Sequence, residues 1–169
     1  LAAVSLLLTM KEFTFDGQRA DESVEEAVKN HPFILFIPGL KSILLLVVPV
    51  AVLLFWGATS VFTFTAFVAV LVAFAIFSKS FYEYSASVLI VTNQRVIYLD
   101  QEGFFKRRII ETNLDKIQDV ASDTSGVLRT TLDFGDLIIR TAGAGKGSEI
   151  VVKNIASPYQ VQQAITKRI

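Results

Sequence analysis

The 169-residue chain sets 16 Lys and Arg against 16 Asp and Glu, a zero net charge that argues against nucleic-acid binding as its main business. With no cysteine and one histidine, His31, it also lacks a disulfide framework, a thiol nucleophile and the usual zinc clusters. Residues 1–77 hold four basic and six acidic residues and 78–169 twelve and ten, so neither part is strongly polarised.

Leu1 to Met10 is apolar but has no basic n-region, and its Leu6-Leu7-Leu8 centre is too short for a signal peptide. It is expected to be an upstream extension, Leu1 to Thr9, before a start at Met10, or a non-standard start, with an added interfacial anchor as the alternative. From Ser23 the pattern Ser23-x-x-Glu26 is a capping box that predicts a short juxtamembrane helix with Val24, Ala27 and Val28 on one face, stopped by Asn30-His31-Pro32. His31 is then a helix-end residue at the interface.

The run from Phe33 to Phe77 carries one charge, Lys41, which is more apolar chain than a soluble domain of this size needs. Gly57-Ala58-Thr59-Ser60 divides it into two apolar halves, Phe33 to Trp56 and Val61 to Phe77, the second reaching the length a bilayer requires by borrowing Ser60 and Ser78. A transmembrane helical hairpin over 33–78 follows, with an N-terminal segment 1–32 before it and a second domain over 79–169. Lys29, Lys41 and Lys79 flank the outer ends and the turn has no charge, so both soluble parts are expected in the cytoplasm. Phe33 to Pro38 is expected to enter along the interface, with Lys41, Lys79 and Trp56 as interface anchors and Pro49 as a kink.

After the membrane the period becomes two. Ser87–Val91 and Val96–Leu99 flank the turn Thr92-Asn93-Gln94-Arg95, and further strands are predicted at Arg107–Glu111, Ile117–Val120, Leu137–Thr141 and Ile150–Val152. Ser157 as N-cap and Pro158 at the first position open a terminal helix with Val161, Ala164 and Ile165 on one face. Antiparallel strands capped by one helix predict a small barrel or sandwich.

The order Val88-Leu89-Ile90-Val91-Thr92-Asn93-Gln94-Arg95-Val96-Ile97-Tyr98, then Gly103-Phe104-Phe105 with Lys106-Arg107-Arg108, then Leu114-Asp115-Lys116-Ile117-Gln118-Asp119-Val120, resembles the bacterial membrane-anchored pleckstrin-homology-like family. Leu132-Asp133-Phe134-Gly135-Asp136-Leu137, Ser157-Pro158-Tyr159-Gln160-Val161, Asp21-Glu22 and His31-Pro32 continue the resemblance from about Gly17 to Ile169. It implies an α+β membrane protein: a transmembrane hairpin, then a PH-like split β-barrel capped by a C-terminal helix, held on the bacterial inner membrane, with no enzyme activity.

Candidate chemistry is thin. Gly143-Ala144-Gly145-Lys146-Gly147-Ser148 has the wrong spacing for a phosphate-binding loop and precedes a strand, so a hairpin loop fits it better. Asp133 and Asp136 around Gly135 fit turn chemistry better than an acid–base pair, and His31 alone supports no nucleophilic triad. No catalytic residue, metal or cofactor is expected. The cluster singled out is Phe104-Phe105-Lys106-Arg107-Arg108, whose rings and cations suit contact with anionic lipid. The alternative is one Phe packed under the barrel end and a solvated cationic flank. Arg95 alone makes no phosphoinositide pocket. The leading function is a membrane-tethered binding or scaffolding module, its partners membrane lipid and a protein or a second copy of the chain. The alternative is a component of an oligomeric transport or channel assembly, which two helices without acidic, Asn or Gln residues serve poorly.

Overall fold

In the computed structural model the described residues are 17–19, 21–57, 59–143 and 148–169. The expected extension Leu1 to Thr9, the expected start at Met10 and the centre of the glycine-rich loop, 144–147, lie outside them. Element order is β1 (Val24–Lys29), α1 (Phe36–Trp56), α2 (Ser60–Ala86), β2 (Val88–Thr92), β3 (Arg95–Glu102), β4 (Lys106–Asn113), β5 (Ile117–Asp123), α3 (Val127–Thr131), β6 (Phe134–Thr141), β7 (Glu149–Ala156) and α4 (Pro158–Thr166). The chain divides into two compact units. One holds the described residues up to His31 with Ala86–Asp100 and Arg107–Ile169; the other holds Pro32–Ser85 with Gln101–Lys106.

The first unit is built on two sheets, ordered β1-β2-β3-β4 and β5-β6-β7. Period-two alternation sets the register: Leu89 pairs with Tyr98 and Val91 with Val96 on one face, and Ile90 with Ile97 on the other. In the second sheet Leu137 lies opposite Val152 and Ile139 opposite Ile150. Leu89, Val91, Val96 and Tyr98 share one core with Leu137, Ile139, Ile150, Val152 and Ile155, and Val161 and Ile165 of α4 close it from the helix side. A smaller cluster of Val24, Ile90 and Ile97 forms on the other face of the first sheet.

Several expectations change. The segment after Ser23 is strand β1, antiparallel to β2 with Val28 opposite Leu89 and Lys29 opposite Val88, and not a capped helix. Ser23 N–H donates to Asn93 Oδ1 at 3.0 Å, so the capping box never forms and sheet pairing outweighs local helix signals. The strands form no closed barrel among the described residues. Between β4 and β5 the chain turns through Leu114–Lys116, which sends the two strands to different sheets, and among the described residues one isolated bridge, Asn30 with Ile155, links the sheets. Ser157 precedes α4 in the left-handed region (φ 46°) without capping it; its hydroxyl donates to Asp133 Oδ2 at 2.6 Å.

The second unit is an antiparallel pair of apolar helices. A 3-10 turn, Pro32–Leu35, runs into α1, and Pro38 sits in the first helical turn, where its missing N–H costs nothing. Pro49 lies inside α1. The second helix continues well past Ser78 to Ala86, because nothing there breaks it and Lys79 pairs with Glu83 one turn on at 3.5 Å. Both helices are long and apolar enough to cross a membrane by length and composition. Their apolar side chains face outward: Leu54 and Phe55 are 80% and 82% exposed.

Candidate functional site

The turn between β3 and β4 is held on the C-terminal end of α2. Gly103 takes φ +71°, a left-handed conformation that a side chain would strain, and its N–H donates to Glu83 Oε1 at 2.6 Å. Gln101 Nε2 donates to Gly103 O at 2.7 Å and closes the turn from the other side. Phe104 stacks on Tyr82 of α2 with ring centroids 5.4 Å apart, while Phe105 stands fully exposed beside it. Lys106 is paired with Glu102. The predicted aromatic–basic cluster therefore divides. Phe104 is packed on a helix and not under a sheet, Lys106 is partly neutralised, and Phe105 points outward; Arg107 and Arg108 follow as exposed residues at the start of β4.

The predicted anchors are placed as follows. Lys41 is exposed on α1, Lys79 is ion-paired to Glu83, and Trp56 is the last residue of α1.

Sequence reasoning missed the most elaborate polar arrangement of the molecule. Arg95, at the end of the β2–β3 turn, donates from Nε to Glu22 Oε1 at 2.8 Å and from Nη2 to Glu22 Oε2 at 2.9 Å. Its Nη1 reaches Glu111 Oε2 at 2.7 Å and Nη2 also reaches Gly17 O at 2.9 Å. The Glu22 side chain has no exposed surface and that of Arg95 is 7% exposed, whereas Glu111 is half-exposed. Arg95 holds the Glu22 carboxyl down from its usual 4.5 to about 2, with Arg19 N–H and Thr92 Oγ1 adding to the effect against the cost of burial. The same contacts raise the Arg95 pKa. Nearby, burial pushes the Glu26 carboxyl up.

Around this fork the chain before β1 is stitched to the β2–β3 turn. Asn93 N–H donates to Ser23 O at 3.1 Å, Asn93 Nδ2 to Asp21 O at 3.1 Å, and Arg19 Nη1 to Gln94 Oε1 at 3.2 Å. Two short motifs far apart in sequence, Asp21-Glu22 and Thr92–Arg95, are thus one structural joint. The donors of Arg95 are committed to protein acceptors, which leaves the residue a fold-holding role.

The remaining candidates are structural too. Asp133 takes φ 51° and accepts from Ser157 Oγ. Asp136 accepts from Asn154 N–H at 2.8 Å and from Arg129 Nη1 at 3.2 Å. Both carboxylates hold turns. His31 lies on the sheet unit and not at a helix end: its N–H donates to Asn154 O at 2.7 Å and its ring stacks on Phe134 at 4.9 Å. Gly135 owes its place to crowding, since a Cβ there would collide with the backbone oxygen of Asp123 and stand 2.6 Å from Thr124 Oγ1.

Comparison with curated proteins and with solved structures gives no match. The family description "Bacterial PH domain" matches residues 33–169, a span that takes in the helical pair, β2 to β7 and the terminal helix. Over four-fifths of its length, with the element order and short motifs above inside the matched region, the chain belongs to the bacterial PH domain family.

Proposed function

We propose that this protein is a non-enzymatic binding module tethered to the bacterial inner membrane by α1 and α2, with its sheets in the cytoplasm. There it holds a protein partner or a second copy of itself, and the β3–β4 tip rests on anionic lipid. PH-like domains are generally non-catalytic binding modules, which fits this reading.

One observation carries the tether. Lys29 and Val88 are paired neighbours in one sheet, so the chain leaves β1 and returns to β2 at the same place. A β-sheet cannot straddle hydrocarbon, so any crossings between those residues must be even in number. The two helices of sufficient length between them are compatible with two. The flanking Lys29, Lys41 and Lys79 then favour the cytoplasm for both ends. Support for the tip comes from Phe105, an exposed ring held by Gly103 and Phe104 on the emerging end of α2.

Because the chain has no cysteine, a single Phe105→Cys variant can carry an environment-sensitive dye at the tip of the full protein in proteoliposomes. Emission should shift to the blue in anionic vesicles relative to zwitterionic ones. The shift should shrink in about 1 M salt, where the screening length falls to about 3 Å, and in Lys106→Ala/Arg107→Ala/Arg108→Ala. Equal emission in both vesicle types would remove the lipid contact and leave the sheets facing a protein.

A further inference from the structure

The two apolar helices do not pack along their whole length. Near the outer ends they meet: Ser42 and Ala73 are buried, and Ser42 Oγ donates to Ala73 O at 3.2 Å across the pair. At Gly39 the Phe77 ring lies 4.0 Å from where a Cβ would stand, an ordinary contact distance. From there toward the Gly57 turn the helices leave a cleft of about 750 Å³ between them. Its α1 wall is a single stripe, Lys41, Leu44, Val48 and Val52, and Phe62 and Ala69 stand on the α2 wall.

We infer that this cleft binds one acyl chain of an anionic phospholipid, with the Lys41 ammonium on the lipid phosphate. The inference rests on the membrane placement proposed above and adds a defined lipid site to it. Length supports it: from Lys41 to Val52 the stripe rises about 16 Å at 1.5 Å per residue. That is about half of a 30 Å hydrocarbon core, the depth of one leaflet.

Chemistry supports it as well. The cleft is an open groove with an almost wholly apolar lining, and acyl chains are the apolar groups a bilayer presents to it. Lys41 is the one charge between Phe33 and Phe77, it lies at the outer end of the stripe, and no carboxylate among the described residues pairs with it. A cation placed there without a protein anion fits a phosphate at headgroup depth.

Native mass spectrometry of the full detergent-solubilised protein, titrated with phosphatidylglycerol or phosphatidylcholine, tests the site. One phosphatidylglycerol should bind per chain, about fivefold more tightly than phosphatidylcholine, as about 1 kcal/mol for one interfacial cation predicts. Lys41→Gln should abolish that preference while phosphatidylcholine binding persists, and Ala69→Trp, which fills the cleft, should weaken both lipids. The tip variant Lys106→Ala/Arg107→Ala/Arg108→Ala should bind as the native chain does. Equal binding of the two lipids, a preference unchanged in Lys41→Gln, or a lipid-free dimer whose second copy occupies the cleft would overturn the site. Carbonate extraction of cell membranes separates the two ideas: release of the protein defeats the tether, whereas retention with no lipid preference defeats only the site.

Discussion

Replacing Arg95 by Met should be among the most damaging single changes in the sheet unit, and its size follows from the partners left behind. Glu22 loses two charge-assisted bonds at 2.8 and 2.9 Å and has no exposed surface through which water can replace them. Breaking such a buried pair from one side costs about 3–5 kcal/mol, a large part of the 5–15 kcal/mol that holds a typical domain together. Glu111 meets the same guanidinium from a half-exposed position, so Glu111→Gln should cost at most about 1 kcal/mol. Glu22→Gln combined with Arg95→Met should stand closer to the native protein than Arg95→Met alone, because no charge is left buried. Hydrogen exchange of β2 and β3 amides in the full protein in micelles reads these differences, and 3 kcal/mol appears as exchange faster by about 100-fold or more. Acid gives a second reading. Glu22 is depressed in the fold, so its contribution is fully present above about 4.5 and is lost as pH falls from there toward about 2. Glu22→Gln should lose acid sensitivity in that window. If Arg95→Met and Glu111→Gln cost the same, the fork is a surface ornament and the argument from burial is wrong.

Gly135→Ala should lower the melting point through a clash with the Asp123 backbone, at about 1–3 kcal/mol, whereas Gly39→Ala, whose nearest neighbour is a ring edge at 4.0 Å, should be tolerated; equal melting points would refute the crowding. Reporters placed near Lys11 and after Ile169 should both report the cytoplasm, and opposite sides would contradict two crossings. Glu83→Ala frees the Gly103 N–H and should speed hydrogen exchange across 101–106 while β6 is unchanged; an unaltered tip would show that Phe104 on Tyr82 suffices.

The parts of the fold legible in the sequence were those written in long local patterns. An apolar run with a Gly57 break announces two helices, and period-two runs between turn residues announce β2 to β7, because each signal lies within the element it describes. Strand β1 was hidden because Val24, Ala27 and Val28 suit a helix face as well as a strand, and only β2, which follows both helices, decides between them. The far end of α2 was hidden because polar residues from Ser78 to Ser85 look like a membrane exit but contain no helix breaker. The ionic fork joins residues 73 positions apart and left no local trace. Its one signal was that Thr92-Asn93-Gln94-Arg95 is richer in hydrogen-bonding groups than a hairpin turn requires. The aromatic–basic cluster was visible as composition, but its division between packed Phe104 and outward Phe105 depends on Tyr82 and Glu83 of a different element.

The pairing of β1 with β2 also sets a timetable for biosynthesis. Strand β1 leaves the ribosome first, and the residues it must meet follow about 60 positions later, which at 5–20 residues per second is a wait of roughly 3–12 s. Under the tether proposed above, both helices enter lipid during that interval, so sheet assembly would be gated by insertion and not by the strands' own folding speed. A chain delayed at that step would present β2, with Leu89, Ile90 and Val91 and no edge partner, as a template for other unfinished chains. On the same proposal, variants that slow entry of α1 or α2 should be degraded or aggregate even though every residue of the sheets is intact.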